Sequence, residues 1–176
     1  MSKKIQKELQ VPIQGWFAQD AQFEMGPVFE RAQNIRGFQI ASPSLIGIRC
    51  VQTAFSMIKE AGIDAIAHKA AVGTQMMIDL YDAWLAPLGF VLNTSRDPKE
   101  RGGHISLVHP DAAQICVAMR EISNVIPDYR TPNSIRLAIS PLPTSFVEVW
   151  DGFARTRDLV ASGQYKTIKE GGSRVT

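Results

Sequence analysis

DYRTPNSIRLAISPLP, residues 128 to 143, is the stretch on which the reading of the chain turns. Ile135, Leu137 and Ile139 alternate there with Arg136, Ala138 and Ser140. Alternation with a period of two is the mark of a strand, whose successive side chains point to opposite faces. Arg136 therefore lies on the face opposite Ile135 and Leu137. A guanidinium in that position either reaches solvent and pairs with a nearby Asp or Glu, or meets an anion. Its planar fork suits a carboxylate, which it grips through two parallel hydrogen bonds. Thr144 or Ser145 then opens a helix with Phe146, Val149, Trp150, Phe153 and Leu159 turned inward.

Upstream of this stretch the pattern alternates between helix and strand. A helix is expected from about Ser44 to Glu60, with Leu45, Ile48, Val51, Phe55 and Ile58 on its inner face. Gly62 stops it, and Asp64 caps a second helix that runs to Trp84 or Ala86, before Pro87 and Gly89. Phe90 to Leu92 reads as a strand, the turn-rich segment 93–103 as a charged loop, and Ile105 to Val108 as a second strand. Pro110-Asp111 opens a helix through Ile115 and Met119 to Ile122. A third strand starts at Val125-Ile126 and leads to Tyr129, and Ser134–Ile139 is the fourth. Antiparallel pairing of the first two strands is expected across their loop. The order fits an α+β architecture, a small antiparallel or mixed sheet covered by helices.

The first 43 residues read as a lead-in and loops, with a short helix over 27–32 and an extended piece at Phe38–Ile40. Residues 44–161 read as the α+β domain and 162–176 as a mobile tail rich in Gly and Lys.

Composition narrows the function classes. The chain has 176 residues, 45% hydrophobic and 20% charged, with a net charge of +2. That charge is too small to imply a nucleic-acid surface. No apolar run is long enough to cross a bilayer, and the N-terminus lacks the apolar segment of a secretory signal. The two cysteines, Cys50 and Cys116, read as small buried hydrophobes in a reducing cytoplasm. His68 reads as a surface residue. His104 and His109 lie on opposite sides of one strand pattern, so no metal site is expected. Phosphate-loop, dinucleotide, zinc-protease and serine-hydrolase motifs are all missing from the sequence.

What remains is a set of groups suited to anions or to stacking: Trp16, Ser42, Arg101, His104, Arg130 and Arg136. Each has a plain structural alternative. Trp16 packs in the core or offers its indole N–H to an anion. Ser42 caps the helix that follows, or donates with that helix end to a phosphate. Arg101 is a solvated loop charge, and Arg130 pairs with Asp128.

The blocks GWF (Gly15–Phe17), GFQIASPS (Gly37–Ser44), EAGIDAIAHKA (Glu60–Ala70), ERGGHISLVHP (Glu100–Pro110) and DYRTPNSIRLAISPLPTSFVEVWD (Asp128–Asp151) resemble, in this order, the C-terminal part of kynureninase. That family uses pyridoxal phosphate on the aspartate-aminotransferase fold and hydrolyses kynurenine to anthranilate and alanine. The resemblance runs from about Val11 to Val160. It implies the small C-terminal domain of a fold-type I pyridoxal-phosphate enzyme. It implies that Arg136 holds the substrate's α-carboxylate, that Trp16 reaches the cofactor phosphate of a neighbouring subunit, and that Ser42 stands at the edge of cofactor and substrate. Two departures are visible. Ser44 replaces the second proline of the family's N/T-P-P motif around Ser42, and Ala18-Gln19 replaces the family's Gly-His.

The Schiff-base lysine of the family belongs to a preceding domain. Lys3, Lys4 and Lys7 lack its serine-tyrosine-lysine-tyrosine surroundings, so no catalytic lysine is assigned to this chain, and no covalent attachment of pyridoxal phosphate to it is expected. The implied partners are a second copy or a separately encoded cofactor domain, together with a small amino-acid substrate. A truncated non-catalytic remnant and a module that binds a small molecule or a protein partner are the alternatives. An uncovered apolar face is expected along Trp16 to Phe38.

Overall fold

The computed structural model describes residues 1–168. The chain divides into two compact units, Met1–Met57 and Ile58–Thr176.

The first unit is built from short pieces. Helix α1 (Lys3–Glu8) is capped by the Ser2 hydroxyl, which accepts from the Ile5 N–H at 3.3 Å. Two 3-10 turns follow, Trp16–Ala18 and Ile35–Phe38, and Gln19 bridges Arg31 in antiparallel fashion between them. Segment 27–32 forms no helix; the Asp20 and Ala32 N–H groups donate to Glu30 and Ala18 carbonyls and bind the two arms of a loop together. Phe38 ends the second 3-10 turn instead of opening an extended piece. Gly15 is required by close approach: a Cβ there would stand 2.1 Å from the Ile40 carbonyl oxygen.

Helix α2 (Leu45–Ala61) forms over the expected residues. Its cap is Ser44, whose hydroxyl accepts from the Gly47 N–H at 3.1 Å, and not Ser42. The expected burial of its apolar face is corrected: no residue of α2 is buried, and Leu45 and Phe55 are 79% and 65% exposed. Cys50 on this helix is exposed, against the expectation of a buried hydrophobe, whereas Cys116 is buried. Its thiol is pushed up to about 12, first by burial.

The second unit holds the sheet. Helix α3 (Ile63–Leu80) starts after Gly62 at φ 80°; Asp64 lies in its first turn and is not its cap. The helix continues as a π turn over Tyr81–Leu85 and a 3-10 turn over Ala86–Leu88, then stops at Gly89 with φ 90°. Strands β1 (Val91–Leu92) and β2 (His104–Val108) precede helix α4 (Ala112–Glu121). Strands β3 (Asp128–Arg130) and β4 (Ser134–Ala138) precede helix α5 (Phe146–Ala161). Ser145 and Glu148 cap α5 reciprocally. The third strand starts later than expected because Pro127 lacks the N–H a ladder needs, and Ile126 is left 86% exposed.

All pairings are antiparallel and the order is β1-β2-β4-β3. Ile105, Leu107, Ile135 and Leu137 turn to one face and join the core with Met77, Ile78, Ile115, Met119, Val149 and Phe153 from α3, α4 and α5. This is the α+β layer the alternation called for. Tyr81 ties the helix end to the sheet: its hydroxyl donates to the Phe90 carbonyl (3.3 Å) and accepts from the Leu92 N–H (3.1 Å). Tyr81→Phe leaves both backbone groups short of a partner and is expected to lower the unfolding free energy by about 1–2 kcal/mol in a denaturant titration.

Residues 162–168, expected to be mobile, are partly packed. They form a 3-10 turn over Gln164–Thr167 with Tyr165 buried, its hydroxyl donating to Asp111 at 2.8 Å. The remainder of the expected tail, 169–176, lies outside the described residues.

Candidate functional site

The face of the sheet opposite the core carries the charged groups. Arg136 stands near the middle of β4, paired across β2 with Ser106 and across β3 with Asp128. Residues paired across an antiparallel ladder share a face. Arg130 lies two residues from Asp128 on β3, so it shares that face as well. The strand pattern alone places these groups together.

Asp128 lies between the two arginines. One of its oxygens, Oδ2, accepts hydrogen bonds from Arg130 Nε at 3.0 Å and from Arg136 Nη2, and forms an ion pair with Arg130 Nη2 at 2.9 Å. Burial pushes the Asp128 carboxyl up, but the hydrogen bonds and charges of Arg130 and Arg136 outweigh it and hold the group below the usual carboxylate range. The folded state therefore binds this proton less readily than the unfolded chain. The resulting stability is present above the unfolded carboxylate range and is lost as pH falls through the lowered folded value. Asp128→Asn is expected to flatten the acid limb of the stability curve there, read by urea titrations at several pH values.

Arg136 is only partly consumed by this contact. Its side chain is 37% exposed, and among the described residues no protein acceptor lies on its Nε or Nη1. The cluster is thus an ion pair with an open side. The paired reading of Arg136 is the one the structure shows: it has its acidic neighbour, and its Nε and Nη1 have no protein acceptor among the described residues.

The other singled-out groups fall into different settings. Arg101 is structural: it donates to Thr74 Oγ1 at 3.0 Å, to Gln75 Oε1 at 2.8 Å and to the Arg96 carbonyl, which pins loop 93–103 to α3. Arg96 in turn grips Asp82 through two bonds of 2.7 Å. His104 is exposed on β2, while His109 is buried against Phe90 and accepts from the Asp111 N–H through Nδ1. Among the described residues no His, Cys, Asp and Glu group suits a metal, and no helix is long and apolar enough to cross a membrane.

Trp16 and Ser42 belong to the first unit. The Trp16 indole N–H donates to the Gln22 carbonyl at 2.8 Å, and its ring meets Phe17 and Phe23 edge-on. Ser42 is exposed and its hydroxyl has no protein partner among the described residues. A 260 Å³ cavity in this unit is lined in part by Glu24 and Glu30, which repel a phosphate. These residues do not by themselves fit a phosphorylated cofactor: one donor is already committed, and the other is a lone surface hydroxyl.

The sequence reading missed the role of Asp128 as the shared acceptor of two arginines. The signal was present in the spacing D-x-R on one strand, which puts both side chains on one face.

A helix-covered antiparallel sheet, with an Arg130–Asp128–Arg136 cluster on the face opposite its core, defines a small α+β domain. The chain belongs to the kynureninase C-terminal domain family, whose model matches residues 66–155. The kynureninase of Geobacillus thermodenitrificans (strain NG80-2) is 36% identical over 156 residues, which are 88% of this chain and 36% of that protein. Those of Bacillus thuringiensis subsp. konkukian and Shouchella clausii are 33% and 34% identical over 159 residues, 89% of this chain and 37% of theirs. The chain thus spans a little over a third of the length of these curated relatives.

Proposed function

We propose that this chain is the carboxylate-binding portion of a kynureninase-like hydrolase, acting with a portion that carries pyridoxal phosphate. Arg136 holds the α-carboxylate of an amino-acid substrate, kynurenine in the family's reaction. The observation that carries this reading is the uncommitted Nε and Nη1 of Arg136 on an open sheet face, in a chain of this family. A guanidinium on a rigid strand binds a carboxylate without first being ordered, which lowers the cost of binding. Pyridoxal phosphate, when bound, supplies the electron sink for cleavage beside the α-carbon. The anchor for it is assigned to the companion portion, with Trp16 and Ser42 at most adding contacts to the phosphate's edge. Trp16 would have to exchange its Gln22 partner to do so. The companion is either a separate polypeptide or a second copy in a larger assembly.

One observation favours a different reading. Asp128 already occupies part of Arg136, as it would in a module with no catalytic task. The two readings separate by complementation. The portion of the Geobacillus thermodenitrificans kynureninase outside the matched region is purified, loaded with cofactor and mixed with this chain. Release of anthranilate from kynurenine only in the mixture supports the hydrolase reading. A mixture no more active than its parts sinks it and leaves the binding module.

A further inference from the structure

The cluster poses an electrostatic problem. Asp128 and Arg136 alone form a neutral pair, and a neutral pair has little net attraction for a second carboxylate. Arg130 changes that balance. It donates a hydrogen bond from Nε to the same Asp128 oxygen and holds Nη2 at 2.9 Å from it as an ion pair, while Arg136 approaches it through Nη2 alone. The two guanidiniums and one carboxylate carry one net positive charge, so a single incoming carboxylate brings the group to neutrality. The exposures fit this division: the Asp128 side chain is 27% exposed, against 37% for Arg136 and 47% for Arg130. The acid is the most covered of the three, and the two guanidinium side chains are the more exposed.

We propose that Arg130 is a positioning and charge-setting residue for the Arg136 site. It takes up the Asp128 charge, so that Asp128 can fix the Arg136 side chain from one side without cancelling its attraction for a monoanionic carboxylate on the other. The inference rests on the reading of Arg136 as a carboxylate binder and adds a specificity: the cluster accepts one negative charge and discriminates against a neutral amide. Arg130 need not touch the ligand, since a charge on the next strand position acts through space.

The test is a titration of the full chain, with arginine side chains labelled with nitrogen-15, by L-alanine. The Arg136 Nε–H resonance is the readout, and the backbone spectrum of each variant verifies its fold. Arg130→Gln is expected to weaken the L-alanine response by about threefold to tenfold, and this difference should shrink as salt is added. Arg130→Lys keeps the charge without the fork and should stay within about twofold of wild type. Arg130→Gln combined with Asp128→Asn restores the net charge and should recover the binding. A merely structural Arg130 would not be replaced by removal of the charge it balances. Wild-type affinity in Arg130→Gln, loss in Arg130→Lys equal to that in Arg130→Gln, or no recovery in the double variant overturns the charge-setting role alone. No L-alanine response at Arg136 in the wild-type chain overturns it together with the carboxylate reading beneath it.

Discussion

Arg136→Ala, assayed in the reconstituted mixture, is expected to lower kcat/KM for kynurenine by about a hundredfold. Two hydrogen bonds from a charged donor to a carboxylate contribute about 3 kcal/mol between them, and a tenfold change corresponds to about 1.4 kcal/mol. The fold should scarcely notice. The ion pair to Asp128 is partly solvent-exposed, and surface pairs contribute about 0–1 kcal/mol. The loss should appear largely in KM if the carboxylate contact is equal in ground and transition states, and in kcat if it orients the substrate for cleavage. Unchanged kcat/KM would remove Arg136 from the substrate site.

One residue earlier on the same strand the balance reverses. Ile135→Ala is expected to lower the unfolding free energy by about 2–5 kcal/mol, read by chemical denaturation of the chain alone. Ile135 is 1% exposed and lies in the core shared by the sheet and its covering helices. Alanine removes three carbons and leaves a cavity that a close-packed interior closes only in part. A loss below about 1 kcal/mol would mean that the sheet is not packed as described. Positions 135 and 136 thus separate the two faces of β4: one packs in the core, and the other carries Arg136, the proposed carboxylate binder.

That division was legible in the sequence because period-two alternation is a local geometric rule. Ile135 and Leu137 could be set apart from Arg136 with no knowledge of the partner strands. Helix ends were legible where a side chain decided them, as with Ser145 and Glu148 on α5. Gly62 was rightly read as the stop of α2, but the start of α3 was misread because backbone geometry decided it: Gly62, at positive φ, also caps α3, and Asp64 is left in the first turn.

Burial was the harder property. The spacing of Leu45, Ile48, Val51, Phe55 and Ile58 gives α2 an apolar stripe, and that stripe is real. Periodicity says which residues share a face and nothing about what covers it. In the structure none of them is buried, and Trp16, Phe23, Met25, Val28 and Ile35 in the first unit are exposed too. Cys50 was misread for the same reason. The Asp128 contacts were within reach of the strand pattern, but the sharing of one oxygen by two arginines depends on rotamers and register. Only coordinates give those.

Whether the open side of Arg136 takes a carboxylate, as proposed, is decided by a paired titration. L-alanine and L-alaninamide differ in one functional group, so the Arg136 Nε–H resonance reports on that group alone. The expected result is a saturable shift with L-alanine, none with L-alaninamide at equal concentration, and no perturbation of the remaining arginine side chains by L-alanine in Arg136→Ala. Equal responses to acid and amide, or an L-alanine response that persists elsewhere in Arg136→Ala, would contradict it.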